Sequence, residues 1–296
     1  MGRIAALGWL VVLLTAASAP TPEAPLVNDW WPLRVGTVWE FDTRTDTETK
    51  YPNLPVAEHL RGHTERRVTH LRHDFAGVGG VLELSETLRH APANGGEENE
   101  WTALYFYTTQ ADGVYLHAQS ELDERLRIYD RPLRLLPADP KLGTKWTVGD
   151  LFMEGYQIAV TGEVVGFEAV TTPAGRFEGC AKVRYRGPLK GRIEYEDTAY
   201  ELKTGSFDRT TWFARGVGPV KLTDTIRAEV KFPQPGTFQH TANYTETLNR
   251  FEVRKWGNGC AVTATRRYRP GTPKTQVDSA IRGWGAGGDS FAAASG

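Results

Sequence analysis

From residue 156 onward, apolar and polar side chains alternate: Tyr156, Ile158, Val160 and Val164 fall on one phase, Gln157, Thr161 and Glu163 on the other. Successive strand side chains point to opposite faces, so a period of two marks a half-buried strand. Turn residues Thr172-Pro173-Ala174-Gly175 interrupt the pattern, a return strand runs from Phe177, and Gly187-Pro188 ends it. Residues 155–186 therefore read as a long hairpin. The same template fits 37–43, 65–75, 81–89, 101–108, 113–118, 193–202, 210–214, 219–225 and 240–253, with turn-rich sequence between them. In one of these, Trp101, Ala103, Tyr105 and Tyr107 alternate with Thr102, Leu104, Phe106 and Thr108. Apolar groups on both phases predict a central strand, or one covered on both sides. Only Ser120–Leu126, with Glu121 and Arg125 four apart, suggests a turn or two of helix. The expected fold is mainly β: an antiparallel, strongly curved sheet or partly open β-barrel with little helix, its concave side apolar and its edges blunted by charge.

The N-terminus reads as an export signal. Arg3 precedes an apolar run from Ile4 to Leu14, followed by Thr15-Ala16-Ala17-Ser18-Ala19. Small residues suit cleavage after Ala17 or Ala19, and the apolar run falls short of the roughly 20 residues a spanning helix needs. Residues 1–19 are thus expected to be removed, leaving a periplasmic or extracellular protein with no stable membrane span. Pro20, Pro22 and Pro25 make 20–28 an extended spacer. A single β-rich domain is expected over 29–268. From 269 to 296 Pro, Gly, Ala and Ser replace apolar periodicity, which predicts a disordered tail. Gly36-Thr37-Val38-Trp39 is echoed by Gly143-Thr144-Lys145-Trp146, each after a proline, Pro32 and Pro140. The echo suggests two related halves meeting near 135–145, or simply a common way to begin a strand.

Charge excludes one class of partner. The chain has 35 basic and 36 acidic residues and no basic block, whereas nucleic-acid phosphates call for a concentrated Lys/Arg stripe. Its two cysteines, Cys180 and Cys260, admit two readings in an oxidising compartment. One is a disulfide closing a loop of about 80 residues, worth on the order of 4 kcal/mol in the chain-entropy model; the other is two separate thiols. Cys180 falls on the phase of Lys182, Arg184 and Arg186.

Catalytic signatures are missing. Neither a nucleophile elbow, a P-loop, HExxH, CxxC nor an EF-hand loop occurs, so no catalytic residue, metal or cofactor is expected. His59, His63, His70 and His73 are close in sequence, but strand geometry points His70 and His73 to opposite faces and favours solvated roles. Glu194 and Glu196 share a face opposite Ile193 and Tyr195, flanked by Arg192 and Lys203, as on a wet surface. Asn243-Tyr244-Thr245 is a glycosylation sequon that matters only in a host that modifies it. The aromatic residues either fill the interior of a curved sheet or line a cavity for an apolar ligand. Trp39, Trp101, Tyr105, Tyr107 and Trp212 are the candidate ligand contacts.

Three segments carry a family likeness: Trp31-Pro32-Leu33-Arg34-Val35-Gly36-Thr37-Val38-Trp39, Thr172-Pro173-Ala174-Gly175-Arg176-Phe177 with Cys180 and Val183 behind it, and Trp212 to Lys221 around Gly216-Val217-Gly218-Pro219. Together they resemble exported bacterial proteins of unknown function that include those labelled TapB-like, over roughly residues 30–253. The resemblance implies a fold and an envelope address, since its motifs are turns and strand starts. It further implies, as an analogy of fold, the curved antiparallel sheets of periplasmic lipoprotein carriers, which hold acyl chains in a concave face. The chain departs from lipoproteins in lacking a lipobox cysteine. The expected function is that of an exported, non-enzymatic envelope protein binding an apolar ligand such as lipid, or another envelope protein. A secreted hydrolase using a carboxylate pair and a structural or adhesive module are the alternatives.

Overall fold

The computed structural model describes residues 28–51, 55–120, 126–153, 156–195, 198–231 and 237–252, with the side chains of 153, 192–195 and 198–199 left aside. The signal segment, most of the spacer, most of Ser120–Leu126, Glu196, Cys260 and the tail lie outside the described residues. Thirteen strands are present among the described residues: β1 Val38–Lys50, β2 Pro55–Arg72, β3 Val81–Pro92, β4 Asn99–Gln110, β5 Gly113–Ser120, β6 Leu126–Pro137, β7 Lys145–Met153, β8 Tyr156–Thr172, β9 Gly175–Lys190, β10 Arg192–Tyr195, β11 Thr198–Ala214, β12 Gly218–Lys231 and β13 Thr237–Glu252. No helix occurs among the described residues.

All strands join one antiparallel sheet in the order β6-β5-β4-β3-β2-β1-β13-β12-β11-β9-β8-β7, with β10 paired to β11. Two meanders, β1–β6 and β7–β13, are thus joined where β1 pairs with β13, from Val38↔Glu252 to Lys50↔Gln239. The sheet curls into a barrel that is nearly closed, with one unsealed seam between β6 and β7. Side chains bridge that seam in place of a ladder. Trp146 Nε1 donates to Arg134 O at 2.8 Å, Tyr185 OH to Leu135 O at 2.8 Å, and Gln119 Nε2 to Phe152 O at 2.6 Å. Edge carbonyls that would otherwise lack partners are satisfied this way. Trp146 can lie flat there because its strand partner is Gly162: a Cβ at 162 would sit 2.4 Å from the indole. Gly162→Ala should push the ring off the seam and cost about 1–3 kcal/mol as overpacking, read as a lowered urea midpoint with a broader unfolding transition.

Several strands run further than the sequence pattern suggests. β9 continues through Gly187-Pro188 to Lys190, because Pro188 pairs with Ser206 while the hydrogen-bonded ladder to β8 is carried by neighbouring residues. Residues 193–202 are not one strand but the two arms of the β10–β11 hairpin, and β11 absorbs 210–214. β6 and the first half of β2 carry too many polar residues for apolar alternation to reveal them. β2 alternates in exposure instead, with odd residues from Pro55 to His63 exposed and even ones half-buried. The two Gly-Thr-x-Trp segments make the same three hydrogen bonds. Gly36 N donates to Val68 O, Thr37 N to Arg34 O, and Val68 N to Thr37 O; Gly143 N donates to Val164 O, Thr144 N to Lys141 O, and Val164 N to Thr144 O. Gly36 and Gly143 adopt φ of 87° and 79°, which glycine reaches without strain.

One end of the barrel is capped, and the three family-like segments build the cap. Asn28–Gly36 crosses it with Trp30, Trp31 and Leu33 buried, and Trp31 packs its ring 5.3 Å from Tyr107 and 5.7 Å from Phe213. Trp39, fully buried, donates Nε1 to Val217 O at 2.6 Å. Gly218 has φ of 100° and lies under both indoles, so a Cβ there would stand 3.2 Å from Trp39 and 3.3 Å from Trp31. The β8–β9 turn closes the same end, Ala174 N donating to Leu248 O at 3.1 Å.

Strand β4 is central and apolar on both faces. Trp101, Ala103, Tyr105 and Tyr107 point inward, while Phe106 on the outside stacks on Phe75 at 4.3 Å under the loop before β3.

Candidate functional site: a charged floor in a half-open barrel

An eight-stranded barrel is just wide enough for side chains to fill it, and this sheet has twelve strands on its hydrogen-bonded path. At the capped end the space is filled: Trp31, Leu33, Trp39, Phe41, Val68, Leu82, Leu84, Val220 and Leu248 form one buried cluster. Halfway along the barrel the inward positions change character. Arg66 lies on the phase of Val68, Glu86 on that of Leu84, Arg209 on that of Phe207, Asp224 on that of Leu222 and Glu246 on that of Leu248. The concave side, expected to be apolar, is instead crossed by a layer of charge.

The layer is tightly paired. Arg66 bonds Glu86 through Nε and Glu246 Oε1 through an Nη at 2.7 Å, and its guanidinium stands 4.8 Å over the Phe41 ring. Arg209 holds Asp224 Oδ2 with two nitrogens at 2.6 and 3.1 Å and lies over Phe207. Tyr244 OH donates to Glu246 Oε1 at 2.7 Å and Tyr105 OH to Glu86 Oε1 at 3.2 Å. The carboxylates hold the Arg66 proton more firmly than in water despite the cost of burial. Burial above all, then the neighbouring carboxylates, pushes the Tyr105 and Tyr244 hydroxyls well above the usual phenol range, so both remain donors. Asp224 Oδ1 and Glu246 Oε2 are buried without a hydrogen-bond partner.

Water reaches this layer. Although they point inward, Arg66, Glu86 and Arg209 keep 16, 17 and 28% of their side-chain surface exposed. Beyond the layer, on the same phase, Leu60, Leu88, Trp101, Ala103 and Tyr105 are half-buried rather than buried. Across the sheet, Phe238 and His240 are buried near Tyr51 and Tyr200. His240 Nδ1 lies 2.9 Å from Thr49 Oγ1, and burial pushes its pKa down to about 4. An unfolded imidazole titrates near 6.5, so between about pH 6.5 and 4 only the unfolded chain takes up this proton, and stability falls as pH drops through that window. His240 accounts for roughly 2–3 kcal/mol of that loss. Urea unfolding of His240→Gln at pH 7.5 and 4.5 should show a correspondingly smaller difference than the parent.

The candidate ligand contacts separate into three places. Trp101 and Tyr105 are half-buried on the inward phase beyond the charged layer, Trp101 packing edge-on to His90 at 4.4 Å. Trp39 and Tyr107 belong to the capped end and are buried. Trp212 is buried but off the inward phase of β11: its Nε1 donates to Glu168 at 2.5 Å and its ring lies between the Lys182 and Lys221 ammoniums. A bulge between Trp212 and Phe213 separates its phase from the interior. Cys180, expected on a polar face, is wholly buried in the core, because Gly179 at φ of 62° and a bulge at Glu168/Val170 reset the alternation. Of the four histidines close in sequence, His59 and His63 lie outside the barrel against Asp46 and Asp42, and His70 against Glu83. Sequence reading missed the charged layer itself. Its signal was present as single charges on an apolar phase, such as Glu86 between Leu84 and Leu88.

No family model matches the chain, and no curated protein matches it. The likeness to TapB-like proteins thus rests on the three motifs alone. Among solved structures it aligns with a candidate lipoprotein from Parabacteroides distasonis ATCC 8503 at 14% identity and a TM-score of 0.36, covering 76% of this chain and 99% of that one.

Proposed function

We propose that this chain is an exported, non-enzymatic envelope protein that accepts the apolar part of a small ligand in the open half of its barrel. The observation that carries the reading is the inward-facing yet solvent-touched side chains: Arg66, Glu86 and Arg209 at the floor, with Leu60, Leu88, Trp101 and Ala103 above them. Apolar surface facing water inside a concavity gains about 25 cal/mol per Å² when a ligand covers it. The floor carboxylates are engaged by guanidiniums, an arrangement suited to fixing a polar head rather than to exchanging protons. Export rests on the Arg3–Ala19 segment.

The test is native mass spectrometry of protein purified from the periplasmic and extracellular fractions, followed by solvent extraction. A bound amphiphile of a few hundred daltons, lost when Ala103→Trp fills the open half, is the expected result. Ligand-free protein in both fractions that also fails to take up a dodecyl amphiphile would contradict the reading.

A further inference from the structure

We infer that the ligand accepted by this barrel is an amphiphile whose head is a primary ammonium. The inference rests on the proposed function and adds the chemistry of the head. Its first ground is charge. The floor holds two guanidiniums, Arg66 and Arg209, against three carboxylates, Glu86, Glu246 and Asp224. Among these five groups one negative charge is in excess, and the two most buried carboxylates, Glu246 and Asp224, are where an uncompensated charge is costly.

The second ground is hydrogen bonding. Asp224 Oδ1 and Glu246 Oε2 are acceptors without donors, and their side chains are at least nine-tenths buried. Asp224 and Tyr244 are direct partners across β12 and β13, and Tyr244 bonds Glu246, which places the two carboxylates side by side on one face. A primary ammonium brings three N–H donors and one positive charge, supplying both deficits together. A carboxylate head would add acceptors to acceptors and raise the negative excess to two. A hydroxyl head would supply a single donor and no charge. The apolar body then runs outward past Tyr105, Ala103, Leu88 and Trp101.

The experiment uses the full mature chain and follows tryptophan fluorescence with dodecylamine, dodecanol and dodecanoate, each below its micelle concentration. Dodecylamine is expected to bind at least ten-fold tighter than dodecanol, with dodecanoate weakest. In Glu246→Gln and Asp224→Asn the preference should shrink to under two-fold. The ranking in the parent protein needs no variant, so a variant that fails to fold leaves the test intact. Dodecanoate binding as tightly as dodecylamine would overturn the head assignment while leaving the apolar site standing; binding of none of the three would overturn both. Dodecyltrimethylammonium, which has charge but no N–H donor, is expected to bind at least five-fold more weakly than dodecylamine, and equal binding would overturn the assignment. Vesicles distinguish the source of the amine: transfer of phosphatidylethanolamine but not phosphatidylcholine to the soluble protein marks a membrane lipid, and uptake of dodecylamine alone marks a free amine.

Discussion

Arg66→Ala should lower the free energy of unfolding by roughly 3–5 kcal/mol, the range seen when one partner of a buried ion pair is removed. Arg66 is the only guanidinium bonded to Glu246 among the described residues, and it also holds Glu86. Taking it away leaves two carboxylates facing each other across the floor, with Tyr105 and Tyr244 as their remaining donors. Partial access of water to Glu86 tempers the effect, while the wholly buried Glu246 sets its size. A control separates the worth of the pair from the penalty of breaking it. The triple replacement Arg66→Met, Glu86→Leu, Glu246→Leu removes all three charges and should be within about 1–2 kcal/mol of the parent, because apolar residues of similar volume replace buried ion pairs at little cost. Urea unfolding monitored by circular dichroism measures both. A triple variant as unstable as Arg66→Ala would show that the charged layer stabilises the barrel in its own right. If instead the triple variant is stable yet no longer discriminates between amine and alcohol, the layer is kept for what it binds.

The second large effect belongs to the cap. Trp39→Ala should cost about 3–5 kcal/mol, the range for emptying a large aromatic site in a packed core. The indole is fully buried, anchors Val217 O, and fills the hollow over Gly218. Its loss would also release the neighbouring Trp31, so the Asn28–Gly36 crossing should become accessible to protease before the barrel strands do. Limited proteolysis with N-terminal sequencing reads that order directly. Loss of the strands and the crossing together would show the cap to be part of the barrel's cooperative unit.

Much of the fold was legible because strand geometry imposes its period wherever one face is dry. The hairpin read over 155–186, the doubly apolar β4 and the expectation of little helix all followed from alternation. What was not legible had specific causes. β6 and the outer half of β2 lie where the barrel is open or paired by side chains, so Arg61, His63 and Arg131 met no demand for apolar partners. Cys180 was misplaced because one glycine at positive φ shifts the phase by a residue. Of the proposed ligand contacts, Trp101 and Tyr105 share the inward phase of β4, whereas a bulge after Trp212 puts that residue on the other phase of β11, and no local sequence feature announces the bulge. The floor was hidden for another reason: Arg66 and Glu86 are 20 residues apart in sequence and become neighbours only through the β2–β3 register.

The account depends on open space above that floor, and quenching by brominated amphiphile probes it most directly. 12-Bromododecylamine, seated with its head on Glu246 and Asp224, should carry bromine past Trp101 and quench a distinct part of the tryptophan emission. That part should vanish in Trp101→Phe and persist in Trp212→Phe. Quenching that is absent, or that survives Trp101→Phe and disappears with Trp212→Phe, would place the ligand outside the barrel and contradict the account.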